Sequence, residues 1–187
     1  MPTGQLSFTG VDPVADARAA RWPRVADERA VYPVFVDAVV VELQIVVERG
    51  EPPQPRERLQ LVAGQGIVGE RRCAPNNPPA AHVTLIEAEA VDDVIAALGP
   101  RFAARDTRRN ILTRGVALNH LVGRTFFVGD VVLRGIELCD PCARLARFTS
   151  KAFERGLDNR GGLRAEVVVG GDIVAGATIR AGVEDAR

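Results

Sequence analysis

The sequence predicts a β-rich α+β domain, a barrel-like sheet with helices inserted, and three observations carry that prediction. Short runs rich in Val, Ile and Leu recur along the chain. Eighteen glycines and twelve prolines break them up, which favours many turns over a helix bundle. A single long segment, close to the middle, carries a clear helical stripe.

Residues 1–35 read as an extension. Pro2, Pro13, Pro23 and Pro33 interrupt them, and Trp22, Tyr32 and Phe35 are the side chains best suited to pack on a domain or partner. The domain proper is 36–187. Val39–Val47 alternates in part and is rich in β-branched residues, as a half-buried strand requires. The prolines of Pro52–Pro55 end it. Leu59–Val62 is a short strand, and Gly64-Gln65-Gly66-Ile67-Val68-Gly69 is a glycine-rich segment in which backbone can approach a ligand closely. Cys73–Ala81 is a proline-rich loop. His82–Ile86 reads as a buried strand leading into a helix over Glu87–Leu98. There Val91, Val94, Ile95 and Leu98 fall on one face, with Gly99 and Pro100 as the stop. Asn110–Thr113 is a further strand and Leu118–Val122 a helical turn. Thr125–Val128 and Val131–Leu138 form a hairpin about Gly129-Asp130. Leu163–Val169 and Ile173–Ile179 are expected to repeat it about Gly170-Gly171.

At 187 residues, 47% hydrophobic and 26% charged, the chain has the composition of a globular domain. Its 24 basic and 24 acidic residues cancel, so the broad basic field of a nucleic-acid binder is not expected. Nearly all the basic residues are arginine, which suits recognition of phosphate or carboxylate, although GC-rich coding produces the same bias. No early apolar run resembles a signal peptide. Asp37, Glu42 and Gln44 interrupt the one extended apolar stretch. No membrane partner and a cytoplasmic location are therefore the expectation. Three cysteines, Cys73, Cys139 and Cys142, do not suggest a disulfide framework.

The segment Leu138-Cys139-Asp140-Pro141-Cys142-Ala143-Arg144 carries the most chemistry. It follows the hairpin, and Cys142 is placed to open a short helix. Peptide dipoles there, with Arg144 and Arg147, favour a thiolate, the form that attacks or ligates metal. Pro141 suits a first-turn position. A single C-x-x-C leaves several readings open. A redox pair lacks the usual βαβ setting, half a zinc site lacks a second pair, and two cysteines in the wall of a sheet need no chemistry at all. The G-x-G-x-x-G at Gly64–Gly69 lacks the helix and acidic residue of a dinucleotide site.

From about Val39 to Arg180 the chain resembles the MOSC family, the domain named for the C-terminal part of molybdenum-cofactor sulfurases. The motifs occur in order: G-Q-G-I-V-G-E-R at Gly64–Arg71, H-V-T-L-I-E-A-E with Glu89, R-R-N-I at Arg108–Ile111, and L-N-H-L-V-G at Leu118–Gly123. F-F-V-G-D-V-V-L, L-C-D-P-C and R-G-G-L-R-A-E-V at Arg160–Val167 complete the series. The resemblance implies a MOSC-type β-barrel with inserted helices, the family cysteine at Cys142, and molybdenum cofactor as the ligand, with the Cys142 sulfur on the metal. Two activities follow from it. One is oxo-transfer reduction of an N-hydroxylated small-molecule substrate, with electrons from an external donor protein. The other is transfer of sulfur from a donor protein through a Cys142 persulfide. A non-catalytic module that binds a small anion or a partner is the third reading.

An anionic pterin cofactor calls for guanidinium groups. Arg108, Arg109, Arg144, Arg160 and Arg164 are the candidates, with Asn110 as a neutral contact and His82 near the pocket. Asp140 is placed to tune the thiol, to accept a hydrogen bond from substrate, or equally to cap the following turn. Glu89 reads as a helix-start partner, and His120 and Cys73 as incidental. Glu70 stands where the family usually carries aspartate. The chain shows neither an aminotransferase-like domain nor an iron–sulfur motif, so a reductase would draw on a separate electron source.

Overall fold

A computed structural model describes residues 35–182, so the extension expected over residues 1–35 lies, apart from Phe35, outside the described residues. Eleven strands and three α-helices follow in order: β1 (Phe35–Ile45), β2 (Gln54–Pro55), β3 (Arg58–Val62), β4 (Gly66–Ile67), β5 (Val83–Glu87), α1 (Ala88–Leu98), β6 (Ile111–Val116), β7 (Thr125–Val128), β8 (Val131–Leu138), α2 (Ala143–Phe148), α3 (Lys151–Gly156), β9 (Leu163–Val169), β10 (Gly171–Val174) and β11 (Ile179–Ala181). None of these helices is long and apolar enough to cross a membrane.

Eight strands make one mixed sheet in the order β11-β7-β8-β9-β5-β6-β1-β2, and β10-β3-β4 make a second. β5 and β6 run parallel, which a hairpin cannot achieve, and α1 forms part of the crossover between them. Its stripe behaves as the 3.6-residue period dictates. Val91 and Val94 are buried, and Ile95 and Leu98 pack against the same cluster. Gly99 closes the helix at φ 94°, its N–H donating to the Ile95 carbonyl. Ile86 and Leu112 of the sheet, Val91 and Val94 of α1, Leu145 of α2 and Phe153 of α3 share one core, where the Phe102 and Phe153 rings lie 4.7 Å apart. The Leu145 anchor fixes the helix that Cys142 opens.

The hairpin about Gly129-Asp130 forms in the expected register, Val128 opposite Val131. The second expected hairpin does not form. β10 pairs instead with β3, Gly171 opposite Leu61, and the run Ile173–Ile179 splits so that β11 pairs with β7. Gly170 is the reason: a Cβ there would lie 2.5 Å from the Leu61 carbonyl. The chain turns away from β9 at this close contact with β3. Thr178, just before β11, bridges Val39 of β1, and the Val40 N–H donates to the Ala177 carbonyl. The large sheet thus curls until its seventh strand reaches the chain leading into its first.

Candidate functional site

An open cleft lies where the end of β8, the start of α2, the segment before β6 and the turn after Gly69 converge. Cys142, Asp140, Cys139, Arg108, Arg109, Asn110, Arg144 and Arg164 all line it, together with Glu70, Arg71, Arg72, Thr84 and Thr107. Of the residues chosen from sequence, two fall elsewhere. Arg160 is engaged by Asp93 of α1 at 2.7 Å, on another face. His82 is buried; its Nδ1 accepts from the Val167 N–H, leaving Nε2 to donate to the Asn77 carbonyl. It ties β9 to the proline-rich loop. The glycine-rich segment also serves the fold. Gly66, at φ 112°, would place a Cβ 2.9 Å from the His82 carbonyl, so the glycine is needed for chain crossing.

Cys142 is exposed and Cys139 buried. Cys142 is the N-cap of α2, with its carbonyl accepting from Leu145 N–H, and Pro141 precedes the cap instead of entering the first turn. Six residues of helix align few peptide dipoles. A positive field at the thiol would therefore have to come mainly from side chains.

Six arginines face two carboxylates around the cleft: Arg71, Arg72, Arg108, Arg109, Arg144 and Arg164 against Glu70 and Asp140. Glu137 offsets Arg164 at 3.3 Å, and Glu70 offsets Arg71 at 3.8 Å. Among the described residues, no carboxylate pairs with Arg72, Arg108, Arg109 or Arg144. Burial, then the charges of Arg144 and Arg71, pull the Arg108 pKa below its ordinary value. Burial, then Arg71 and Arg164, do the same to Arg72. Crowded like charges of this kind are relieved by an anion. The Arg71 Nε is buried without a hydrogen-bond partner, and such an atom ordinarily has one.

The cleft residues divide by what already occupies them. Asn110 is a buried brace: its Oδ1 accepts from the Thr84 N–H and hydroxyl, and its Nδ2 donates to Gln44 O and Glu70 Oε2. Glu70 in turn accepts from the Val46 N–H at 2.6 Å. Arg109 is spent on carbonyls of the chain itself. Arg108 adopts φ 62°, stacks over the Phe148 ring at 4.3 Å and donates to the Glu51 carbonyl, which places it at the mouth. Arg72, Arg144 and the remaining donors of Arg108 are free for a ligand. Arg71 and Arg72 were not singled out from the sequence. The legible signal was a doublet directly after the glycine motif, matching the Arg108-Arg109 doublet across the cleft.

Among the described residues, no three His, Cys, Asp or Glu side chains converge to hold a metal ion. A metal at Cys142 would therefore have fewer than three such protein ligands among the described residues.

The sequence model of the MOSC domain matches residues 74–180. Among solved structures, the YuaD protein from Bacillus subtilis superposes with a TM-score of 0.65 at 16% identity, covering 76% of this chain and 94% of that one. YiiM from Geobacillus stearothermophilus gives 0.59 at 14% identity, with coverage of 81% and 76%. YiiM from Escherichia coli gives 0.56 at 16% identity, with coverage of 81% and 71%. At these identities the likeness is one of fold. Among curated proteins, none matches the chain significantly.

Proposed function

The chain belongs to the MOSC domain family, whose members in general bind the molybdenum cofactor, and from that premise we propose that it binds the cofactor in the arginine-lined cleft with the Cys142 sulfur as the protein ligand. The observation that carries this reading is an exposed thiol on a cleft of six arginines and two carboxylates. The donor set suits the group. A soft sulfur favours a thiophilic metal, and guanidinium forks favour phosphate. Arg72, Arg108 and Arg144 would hold the anionic part, the Arg71 Nε, without a hydrogen bond but 3.8 Å from Glu70, lies beside them, and Cys142 would hold the metal. When bound, the cofactor supplies two-electron oxo transfer, for which reduction of an N-hydroxylated small molecule with electrons from an external donor protein is the reading we favour.

The chain's own residues bind and orient. Cys142 presents its sulfur from a fixed cap, and the Arg108–Phe148 stack narrows the mouth. Asp140, exposed beside Cys142, accepts a hydrogen bond from a substrate hydroxyl. The bridge between Val39 and Thr178 supports reading the curled sheet as the family's barrel.

Elemental analysis of protein from a host that makes the cofactor tests the proposal. Molybdenum near one atom per chain is expected in the wild type and none in Cys142→Ser. A wild type without molybdenum overturns it. Cyanide-labile sulfur on Cys142 in its place would favour the sulfur-transfer reading.

A further inference from the structure

Arg109 is chemically unlike its neighbours in the cleft wall. Its Nε donates to the Gly161 carbonyl at 2.8 Å, its Nη2 to the Cys139 carbonyl at 2.6 Å and its Nη1 to the Thr107 carbonyl at 3.2 Å. Three of its five N–H groups are thus committed to backbone. Its own carbonyl accepts from the Gln44 side chain, so the residue is held at both ends. The Cys139–Cys142 loop is pinned by the backbone of Gly161 and Gly162 as well. Cys139 N–H donates to the Gly162 carbonyl, and Gly161 lies so close that a Cβ would meet the Cys139 carbonyl at 2.6 Å and the Pro141 ring at 2.8 Å. The loop has no regular structure of its own, so these contacts set where it runs.

We propose that Arg109 is a positioning residue, a three-carbonyl splint that holds the Cys139–Cys142 loop so that the Cys142 sulfur faces the arginine cleft. The proposal rests on the reading of that cleft as the Cys142 ligand site, and it removes Arg109 from the ligand-holding set. A lysine keeps the charge but is a point donor that cannot span three carbonyls in a planar fork. Arg109→Lys therefore separates position from charge. Gly161→Ala displaces the same loop by steric contact, at a residue whose carbonyl Arg109 also holds, and leaves every arginine in the sequence.

The readout is the ratio of Cys142 alkylation rates with iodoacetate and iodoacetamide, followed by peptide mass spectrometry. A thiol facing crowded guanidinium groups reacts preferentially with the anionic reagent. The wild-type ratio should exceed that of the urea-unfolded chain, and both variants should lose about threefold or more of it. A ratio unchanged in Arg109→Lys overturns the proposal alone. No anionic preference in the wild type overturns the cleft reading beneath it, and the proposal with it. If neither variant folds, Arg109 serves the fold as a whole and the proposal is overturned. Measured on protein from a host that does not make the cofactor, where the Cys142 sulfur carries no metal, the ratio is independent of the Cys142→Ser test.

Discussion

Asn110, in the cleft wall, and Glu87, away from it, show how single side chains bear on the fold in opposite ways. Asn110 joins β5, β1 and the turn after Gly69 through four hydrogen bonds. Asn110→Ala leaves buried donors and acceptors without partners and should cost about 3 kcal/mol, read as a lower urea midpoint at an unchanged slope. Glu87 accepts the Leu118 N–H at 2.7 Å, yet burial, the largest influence, raises its pKa above the ordinary 4.5. Its proton is then held more tightly in the folded chain than in the unfolded one. Stability falls as pH rises through the window between those two values. Glu87→Gln abolishes that fall and keeps an acceptor for Leu118. The melting point of the variant relative to wild type should therefore be more favourable at about pH 7 than at about pH 4. At this scale the sequence disclosed residue type more readily than occupation. Cys142, Asp140, Arg108 and Arg144 line the cleft. Arg109 and Asn110 line it too, but the carbonyls and amides that occupy them come from segments far away in sequence.

Among the elements, length decided what could be read. α1 spans eleven residues, enough for the period of its stripe to stand out, and the Gly129-Asp130 turn fixed its hairpin locally. α3 has six residues and no pattern to detect. It is held by Ser150, whose hydroxyl accepts the Phe153 N–H at 3.1 Å, and by the burial of Phe153 against Phe102. Ser150→Ala should destabilise the protein by about 1 kcal/mol, a melting temperature lower by roughly 3 °C, with the molybdenum test unaffected. The β9–β10 turn misled because Gly170-Gly171 has the composition of a hairpin. What sends β10 to β3 is a close approach to the Leu61 carbonyl, which no local signal encodes.

For the molecule as a whole, a zero net charge conceals an uneven distribution. The cleft concentrates arginines, while carboxylates such as Asp92 and Asp172 pair with basic residues on other faces. Formal charge gave no hint of this, since it sums over the chain and not over space. Pyrophosphate, used as a calorimetric probe, should bind the wild type and weaken several-fold between about 0.05 and 0.5 M salt, as the screening length shrinks. Arg72→Met with Arg144→Met should abolish the binding.

The bridge between Val39 and Thr178 has a consequence for synthesis. It joins residues far apart in the described chain, so the contact cannot be made until the ribosome has passed Thr178. Until then β1 and β7 each present a bare row of amides and carbonyls, the kind of border that recruits strands from other molecules. The nascent chain is accordingly vulnerable to aggregation until Thr178 and β11 emerge, and a frameshift or nonsense codon just before them would yield an insoluble product even though every cleft arginine had already been translated.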